Sequence, residues 1–255
     1  MKNIDFLKEN LIAHRGYHDM SKGIPENSIA AFKRAVRYNY VIELDVHLTE
    51  DGKLVVFHDD NLKRVCGVNK IIEGCTYNEL IKYNLFDTKY KIPLFKEVLK
   101  LVDGKVGLLI ETKTAKFNGE LEKKLAQELD NYKGDFAIQS FNPLSILWFK
   151  KNKKSYLRGL LSSDFKHDNN VSNLRKNMAK TLVADVILKT DFIAYDIRAL
   201  PNKYIETKRK SKLILGWTIR NRSDYNKAAK YCDNFICEHM NEYEIKKVKT
   251  LTSLL

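Results

Sequence analysis

The sequence is poor in residues that staple, interrupt or span a fold. Four cysteines, Cys66, Cys75, Cys232 and Cys237, stand among 255 residues with no CxxC and no Cys/His metal spacing. Four thiols in a chain this long make no disulfide framework, so reduced, structural cysteines are expected. Only 4 prolines and 11 glycines punctuate the chain, and internal repeats and low-complexity segments are absent. No apolar run reaches the roughly 18 residues that a spanning helix needs. The N-terminal MKNIDFLKEN carries acidic residues where a secretory signal would need an apolar core. The expectation is a cytoplasmic protein with no integral membrane segment.

What is present is enough apolar residue for a sizeable core, 44% hydrophobic against 30% charged. The net charge of +13 raises a nucleic-acid or anionic-membrane partner. Its distribution argues against both. The densest runs, Lys150-Lys151-Asn152-Lys153-Lys154 and Lys208-Arg209-Lys210, are short and fall at the ends of expected helices, where cations meet carbonyl dipoles. No recognition helix, aromatic RNA-binding motif or basic stripe is visible, so no nucleic-acid partner is expected.

Apolar runs at Leu11–His14, Val41–Val46, Val106–Glu111, Phe136–Ser140, Arg158–Leu161, Phe192–Tyr195, Leu213–Thr218 and Phe235–Cys237 read as strands. Helical patterns separate them, near Ser28–Tyr38, Leu94–Leu101, Glu120–Leu129, Pro143–Phe149, Val171–Ala184, Asn202–Lys208 and Ser223–Tyr231. Alternating strand and helix implies parallel pairing through right-handed crossovers, and eight units in about 250 residues have the size of a closed (β/α)8 TIM barrel, an α/β fold. The expected organisation is one barrel domain over residues 1–255.

One further run, Leu54–Phe57, follows the second strand through Glu50-Asp51-Gly52-Lys53. An Asp-Gly pair between extended runs signals a hairpin, and a parallel neighbour would need a dozen or more connecting residues. Leu54–Phe57 is therefore expected as an antiparallel arm outside the eight-strand count, returning His58 beside Asp45. Residues 61–93 then form a short insertion, either a surface excursion or a lid over the mouth, in which Thr76 caps a short helix.

In such a barrel the chemistry sits at the carboxyl ends of the strands. Glu43 and Asp45 are two apart on one strand and leave the same face. With Glu111 from the next barrel strand they offer three hard oxygen donors, suited to Ca2+ or Mg2+; an exposed acidic edge is the alternative for the ELDV strand alone. His14 and His58 close strands facing that cluster and carry imidazoles able to exchange protons near neutrality. Arg15 and Lys113 flank the same mouth with cations matched to phosphate oxygens. His18, His47, His167 and His239 are read as structural. Gly16 lets the chain turn after His14-Arg15, and Ser28 or Asn27 caps the helix that follows. Glu26 and Asn27 either face the site or simply start that helix. Together these groups describe phosphate-ester chemistry.

The ordered series AHRG, PENS, ELDV, a Thr-Glu-Asp-Gly turn, VVFHDD, IPLFKEVL, IETK, QSF and GWT resembles the glycerophosphodiester phosphodiesterases from Leu11 to about Thr218. The resemblance implies a metal-dependent barrel that cleaves a small-molecule glycerophosphodiester into glycerol 3-phosphate and an alcohol. It implies that His14 is the general base and His58 the general acid, that Arg15 and Lys113 bind phosphate, and that Glu43, Asp45 and Glu111 hold the metal. Trp217, in GWT, is assigned to the substrate side of the mouth. Three departures stand out: Ser28 for a usual Thr, Thr112 for a usual apolar residue pointing away from the site, and Cys237-Glu238-His239 for a usual Thr-Asp, which leaves the last strand's contribution open. A lysophospholipase D-like activity and a non-catalytic phosphate- or membrane-binding barrel are the competing expectations.

Overall fold

The computed structural model describes residues 3–114, 117–166 and 172–240. Among the described residues nine strands form one sheet: β1 (Ile12–Ala13), β2 (Val41–Leu48), β3 (Leu54–Val56), β4 (Leu108–Thr112), β5 (Phe136–Ser140), β6 (Leu157–Ser162), β7 (Phe192–Asp196), β8 (Leu213–Ile219) and β9 (Asn234–Cys237). Their order is β1-β9-β8-β7-β6-β5-β4-β2-β3, and β1 also pairs in parallel with β2. That last pairing closes an eight-stranded parallel barrel and leaves β3 outside it. The helices are α1 (Asp5–Glu9), α2 (Ile29–Arg37), α3 (Lys63–Cys66), α4 (Tyr77–Leu80), α5 (Phe95–Val102), α6 (Glu120–Leu129), α7 (Pro143–Asn152), α8 (Asn173–Thr181), α9 (Val183–Leu188), α10 (Lys203–Arg209) and α11 (Arg222–Ala228).

Strand periodicity sorts the side chains into two cores. One alternate set, Ile12, Val41, Leu109, Ala137, Leu157, Leu161, Phe192, Ala194, Leu213, Leu215 and Ile236, packs together inside the barrel with Phe6 and Leu7 of α1. The other set, including Ile42, Leu44, Ile110 and Ile138, packs beneath the surrounding helices with Phe32, Phe95 and Phe149. The α1 helix, too short to reveal a helical period in sequence, plugs the amino end of the barrel. Gly107 has no side chain because a Cβ there would meet the Phe6 ring at 2.2 Å.

The arm forms as its turn chemistry requires. Val46, His47 and Leu48 pair antiparallel with Val56, Val55 and Leu54. Thr49 Oγ1 donates to Asp51 Oδ1 at 2.7 Å and accepts the Lys53 N–H at 2.9 Å, while Gly52 sits at φ +69, in the left-handed region that glycine enters at least cost. Phe57 N–H donates to the Asp45 carbonyl at 3.0 Å, which brings His58 back toward Asp45.

The insertion builds a satellite core of its own. Leu62, Val65, Ile72, Cys75, Leu80, Leu85 and Ile92 pack against Val55 and Phe57 of the arm. Within it Thr76 stands at the N-cap of α4 as expected, but its N–H and Oγ1 donate to Glu79 Oε2 at 2.9 and 3.0 Å, so the Glu79 carboxylate and not the Thr76 hydroxyl makes the capping contact. One helical expectation needs correction. Val171–Ala184 is not a single helix: Leu182, buried and left-handed at φ 55, separates α8 from α9, and Val171 lies outside the described residues. The buried Leu182 side chain and the Asp185 carboxylate, held by Lys208 and Lys212 at 2.6 Å each, anchor this break to the barrel. No helix among the described residues is long and apolar enough to cross a membrane.

Candidate active site

The inner face of the barrel turns from apolar to acidic toward its carboxyl end. Along β2 the inward positions run Val41, Glu43, Asp45; along β4 they run Leu109, Glu111; along β5, Ala137, Gln139. Parallel registry aligns Glu43 with Leu109, Asp45 with Glu111, and Glu111 with Gln139. One oxygen from each of Glu43, Asp45 and Glu111 lies within 4.8 Å of the others, and all three residues are buried.

Three buried carboxylates this close need compensation. Lys113 Nζ lies 2.7 Å from Glu111 Oε1 and 3.3 Å from Asp45 Oδ1. The Arg15 backbone N–H donates to Glu43 Oε2 at 2.9 Å, and Arg15 Nε lies 3.8 Å from Asp45 Oδ2. Asn27 Nδ2 donates to Asp45 Oδ2 at 2.8 Å, and Gln139 Nε2 reaches Glu43 Oε1 at 3.4 Å. The compensation is uneven. Burial and the neighbouring Asp45 and Glu111 charges raise the Glu43 carboxyl well above the usual range. Burial also raises Glu111, opposed by Lys113. At Asp45 burial is outweighed by Lys113, His58 and Arg15, which hold the carboxyl well below its usual value. Among the described residues Asn27 Oδ1 is buried without a hydrogen-bond donor, and Asp45 Oδ1 has the Lys113 ammonium at 3.3 Å but no aligned donor. An all-oxygen set with excess negative charge and unsatisfied lone pairs fits a hard divalent cation.

The first βα loop delivers the remaining groups. Arg15 and Asn27 have positive φ, 53 and 50, and between them the chain turns at Gly16, φ 78, where a Cβ would meet Phe32 Cδ1 at 2.9 Å. Ser28 caps α2, its Oγ accepting the Ala31 N–H at 3.1 Å. Glu26 and Asn27 are more than a helix start: Glu26 Oε1 accepts from Arg15 at 2.6 Å while Asn27 holds Asp45.

Each histidine turns Nδ1 toward a carboxylate. His14 Nδ1 lies 2.5 Å from Glu238 Oε1, and Arg220 Nε donates to Glu238 Oε2 at 2.7 Å. His58 Nδ1 lies 2.6 Å from Asp59 Oδ1, and Arg64 Nε donates to Asp59 Oδ2 at 2.7 Å. Despite burial, these contacts hold both Glu238 and Asp59 well below the usual carboxylate range, so both accept and the histidine Nδ1 carries the proton. For His14 this leaves Nε2 toward the cluster, 3.9 Å from Glu43 Oε2. Burial lowers the His14 pKa, with Glu238 opposing.

Of the sequence-expected residues, the structure brings His14, Arg15, Glu43, Asp45, His58, Glu111 and Lys113 to one mouth. Trp217 follows Leu213 and Leu215 on the inward face of β8 and packs edge-on to Phe141 at 5.7 Å; Phe141 in turn meets Phe165 at 5.6 Å. His47 is buried on β2 opposite Val55 of the arm, with Nδ1 3.6 Å from Glu73. His18 and His239 pack ring to ring at 5.3 Å, and His18 is pushed down to about 4 by burial. His167 lies outside the described residues. The sequence left Glu238 open because its role depends on barrel closure. Its signal was positional: it follows the last strand as His14 follows the first, and those strands must be neighbours in a closed barrel.

A closed parallel barrel whose carboxyl mouth joins an acidic cluster, two cations and two carboxylate-backed histidines has the build of a phosphate-ester enzyme. The comparisons narrow the class. Residues 14–242 match the model of the glycerophosphoryl diester phosphodiesterase family. The glycerophosphodiester phosphodiesterase of Caldanaerobacter subterraneus subsp. tengcongensis is 36% identical over 167 residues, 61% of this chain and 67% of its own. The uncharacterized protein MG293 of Mycoplasma genitalium is 31% identical over 257 residues, covering 94% of this chain and 98% of its own. The crystal structure of a glycerophosphodiester phosphodiesterase from Thermotoga maritima superposes with a TM-score of 0.67 at 25% identity, over 96% of this chain and 97% of that one. The chain belongs to the glycerophosphoryl diester phosphodiesterase family.

Proposed function

We propose that the protein hydrolyses glycerophosphodiesters to glycerol 3-phosphate and an alcohol, as one barrel domain, in a reaction that depends on Ca2+ or Mg2+ and on two histidines. The observation that carries this reading is the convergence of both carboxylate-backed histidines on the Glu43–Asp45–Glu111 cluster. A divalent cation bound there would offset the carboxylate charge and polarise the phosphoryl oxygens of the diester. Arg15 and Lys113 hold phosphate oxygens from either side of the mouth, where a low dielectric strengthens their attraction. His14 takes a proton at Nε2 from the attacking water, or from a neighbouring substrate hydroxyl whose cyclic phosphate product water then opens, and Glu238 stabilises the imidazolium that forms. His58, entering the step as the imidazolium with its Nδ1–H on Asp59, gives its Nε2 proton to the departing alkoxide and is left as the neutral Nδ1–H imidazole. The free state of all four cysteines fits a cytoplasmic setting.

The aromatic wall of Phe141, Phe165 and Trp217 favours a second reading, in which the glycerol that stays with the phosphate carries an acyl chain and the head-group alcohol leaves, as in a lysophospholipase D. The experiment is to assay the metal-loaded protein on glycerophosphocholine, glycerophosphoethanolamine and lysophosphatidylcholine, following glycerol 3-phosphate, the lysophosphatidate-type product and free choline. Release of glycerol 3-phosphate is expected and should vanish with a chelator. Turnover of the lysolipid alone would favour the second reading, and no turnover of any would reject both.

A further inference from the structure

The insertion is fastened to the active site through one side chain that the mechanism above does not use. Arg64, on α3, makes paired hydrogen bonds to two carboxylates. Its Nε and Nη2 donate to Asp59 Oδ2 and Oδ1 at 2.7 and 2.9 Å; its Nη1 and Nη2 donate to Glu26 Oε2 and Oε1 at 2.9 and 2.7 Å. Asp59 is the partner of His58 Nδ1, and Glu26 belongs to the first βα loop, where it also holds Arg15. The guanidinium packs 5.7 Å from the Phe86 ring, within the same insertion. It thus joins the end of the arm and the satellite core that follows it to the loop after β1, 38 residues away in sequence.

We propose that Arg64 is a positioning residue for His58. Anchored on the barrel through Glu26, it fixes the Asp59 carboxylate, which in turn sets the orientation and tautomer of the imidazole. The insertion is then part of the catalytic apparatus and not merely a cover. The physical need is specific. His58 lies at the end of an arm paired to only one barrel strand, and the Asp59 side chain has rotational freedom unless both its oxygens are held. A planar fork with five donors holds two carboxylates at once; an ammonium lacks that geometry. This inference rests on the assignment of His58 as the proton donor to the leaving group.

The test compares Arg64→Ala, Arg64→Lys, His58→Ala and the Arg64→Ala/His58→Ala double variant, all metal-loaded and checked by melting temperature. Each is assayed on glycerophosphocholine and on a nitrophenyl glycerophosphodiester, whose leaving oxygen scarcely needs a proton. Arg64→Ala should lower kcat on glycerophosphocholine by about 10- to 100-fold, the loss expected of a misplaced catalytic group. It should lose far less on the nitrophenyl substrate. Arg64→Lys should fall between Ala and wild type. In the His58→Ala background the same change should cost less than about 3-fold, because coupled residues are non-additive. The Arg64 side chain is 44% exposed, so the space it leaves opens to solvent; guanidinium ion at millimolar concentration should restore part of the lost kcat in Arg64→Ala. Equal losses on both substrates, or an undiminished loss in the His58→Ala background, would overturn the proposal. A His58→Ala enzyme as active as wild type is a separate outcome: it would remove the acid assignment on which the proposal rests.

Discussion

His14 and His58 meet at one acidic cluster from scaffolds of different kinds. His14 follows β1, which is paired on both sides, to β2 and to β9, and its Glu238 partner follows β9. His58 follows β3, which pairs with β2 on one side only and meets the returning chain on the other through the Val55–Leu94 bridge and the Val56 N–H to Pro93 carbonyl bond. Its carboxylate is the next residue in sequence, and an insertion must supply the arginine that steadies it. The local chemistry is the same on both sides, imidazole to carboxylate to arginine. What differs is the source of rigidity. On the barrel side it comes from strand closure, and on the arm side from a clasp between the insertion and the first loop.

The largest expected effects test whether the two histidines really share a role distinct from the cluster they face. His14→Ala and His58→Ala should each lower kcat by about 10² to 10⁴, the range for loss of a positioned acid or base, while leaving metal affinity nearly unchanged. Glu43→Gln, Asp45→Asn or Glu111→Gln should instead weaken metal binding and recover activity in part at high metal concentration. Calorimetric metal titration beside steady-state rates separates the two patterns. Metal affinity lost in a histidine variant would merge the two groups into one.

A smaller effect probes the barrel side of the comparison. Glu238→Gln keeps the shape but removes the charge that stabilises the His14 imidazolium, so kcat should fall by about 10- to 100-fold with KM little changed, as for other groups behind a functional imidazole. An unchanged kcat would mean that strand closure alone orients His14. The same variant makes a stability prediction. Glu238 has a native pKa below its unfolded value, so ionisation stabilises the fold above about pH 4.3, and that contribution is lost as pH falls through the native pKa. The melting temperatures of wild type and Glu238→Gln should therefore differ most near neutrality and converge as pH falls below about 4. Asp59→Asn should show the same convergence, since Asp59 is shifted in the same direction. A gap that widened in acid would reverse the sign of the linkage.

The smallest effect concerns the residue between two site groups. Thr112 lies between Glu111 and Lys113 but faces outward, sharing a hydrogen bond of 2.8 Å with Ser145 of α7. Thr112→Val should cost about 1 kcal/mol of stability, for one buried hydrogen bond with its partner left unsatisfied, and should leave kcat within about twofold. Denaturant unfolding beside the standard assay checks both. A large loss of activity would show that α7 transmits strain to the cluster.

Much of this architecture follows from local pattern. The period-2 spacing of Glu43 and Asp45 places both on one face whatever the rest of the chain does, because successive side chains in a strand alternate. The Asp51-Gly52 turn dictates an antiparallel return and therefore brings His58 toward Asp45. Ser28 caps its helix through a contact three residues long. These features depend on interactions between near neighbours in the chain. The others depend on closure. Glu238 is 224 residues from His14 and becomes its partner only because β9 pairs with β1. Glu26, which already holds Arg15, gains its second partner only when α3 of the insertion brings Arg64 within 2.7 Å, and Leu182 breaks a helical pattern because the packed interior takes its side chain. Short-range periodicity and turn chemistry determined which groups leave the same face, since those forces act within a few residues. Which carboxylate stands behind which histidine was decided by the ring of strands and the docking of the insertion, because a hydrogen bond between distant segments exists only once the tertiary structure has set the distance between them.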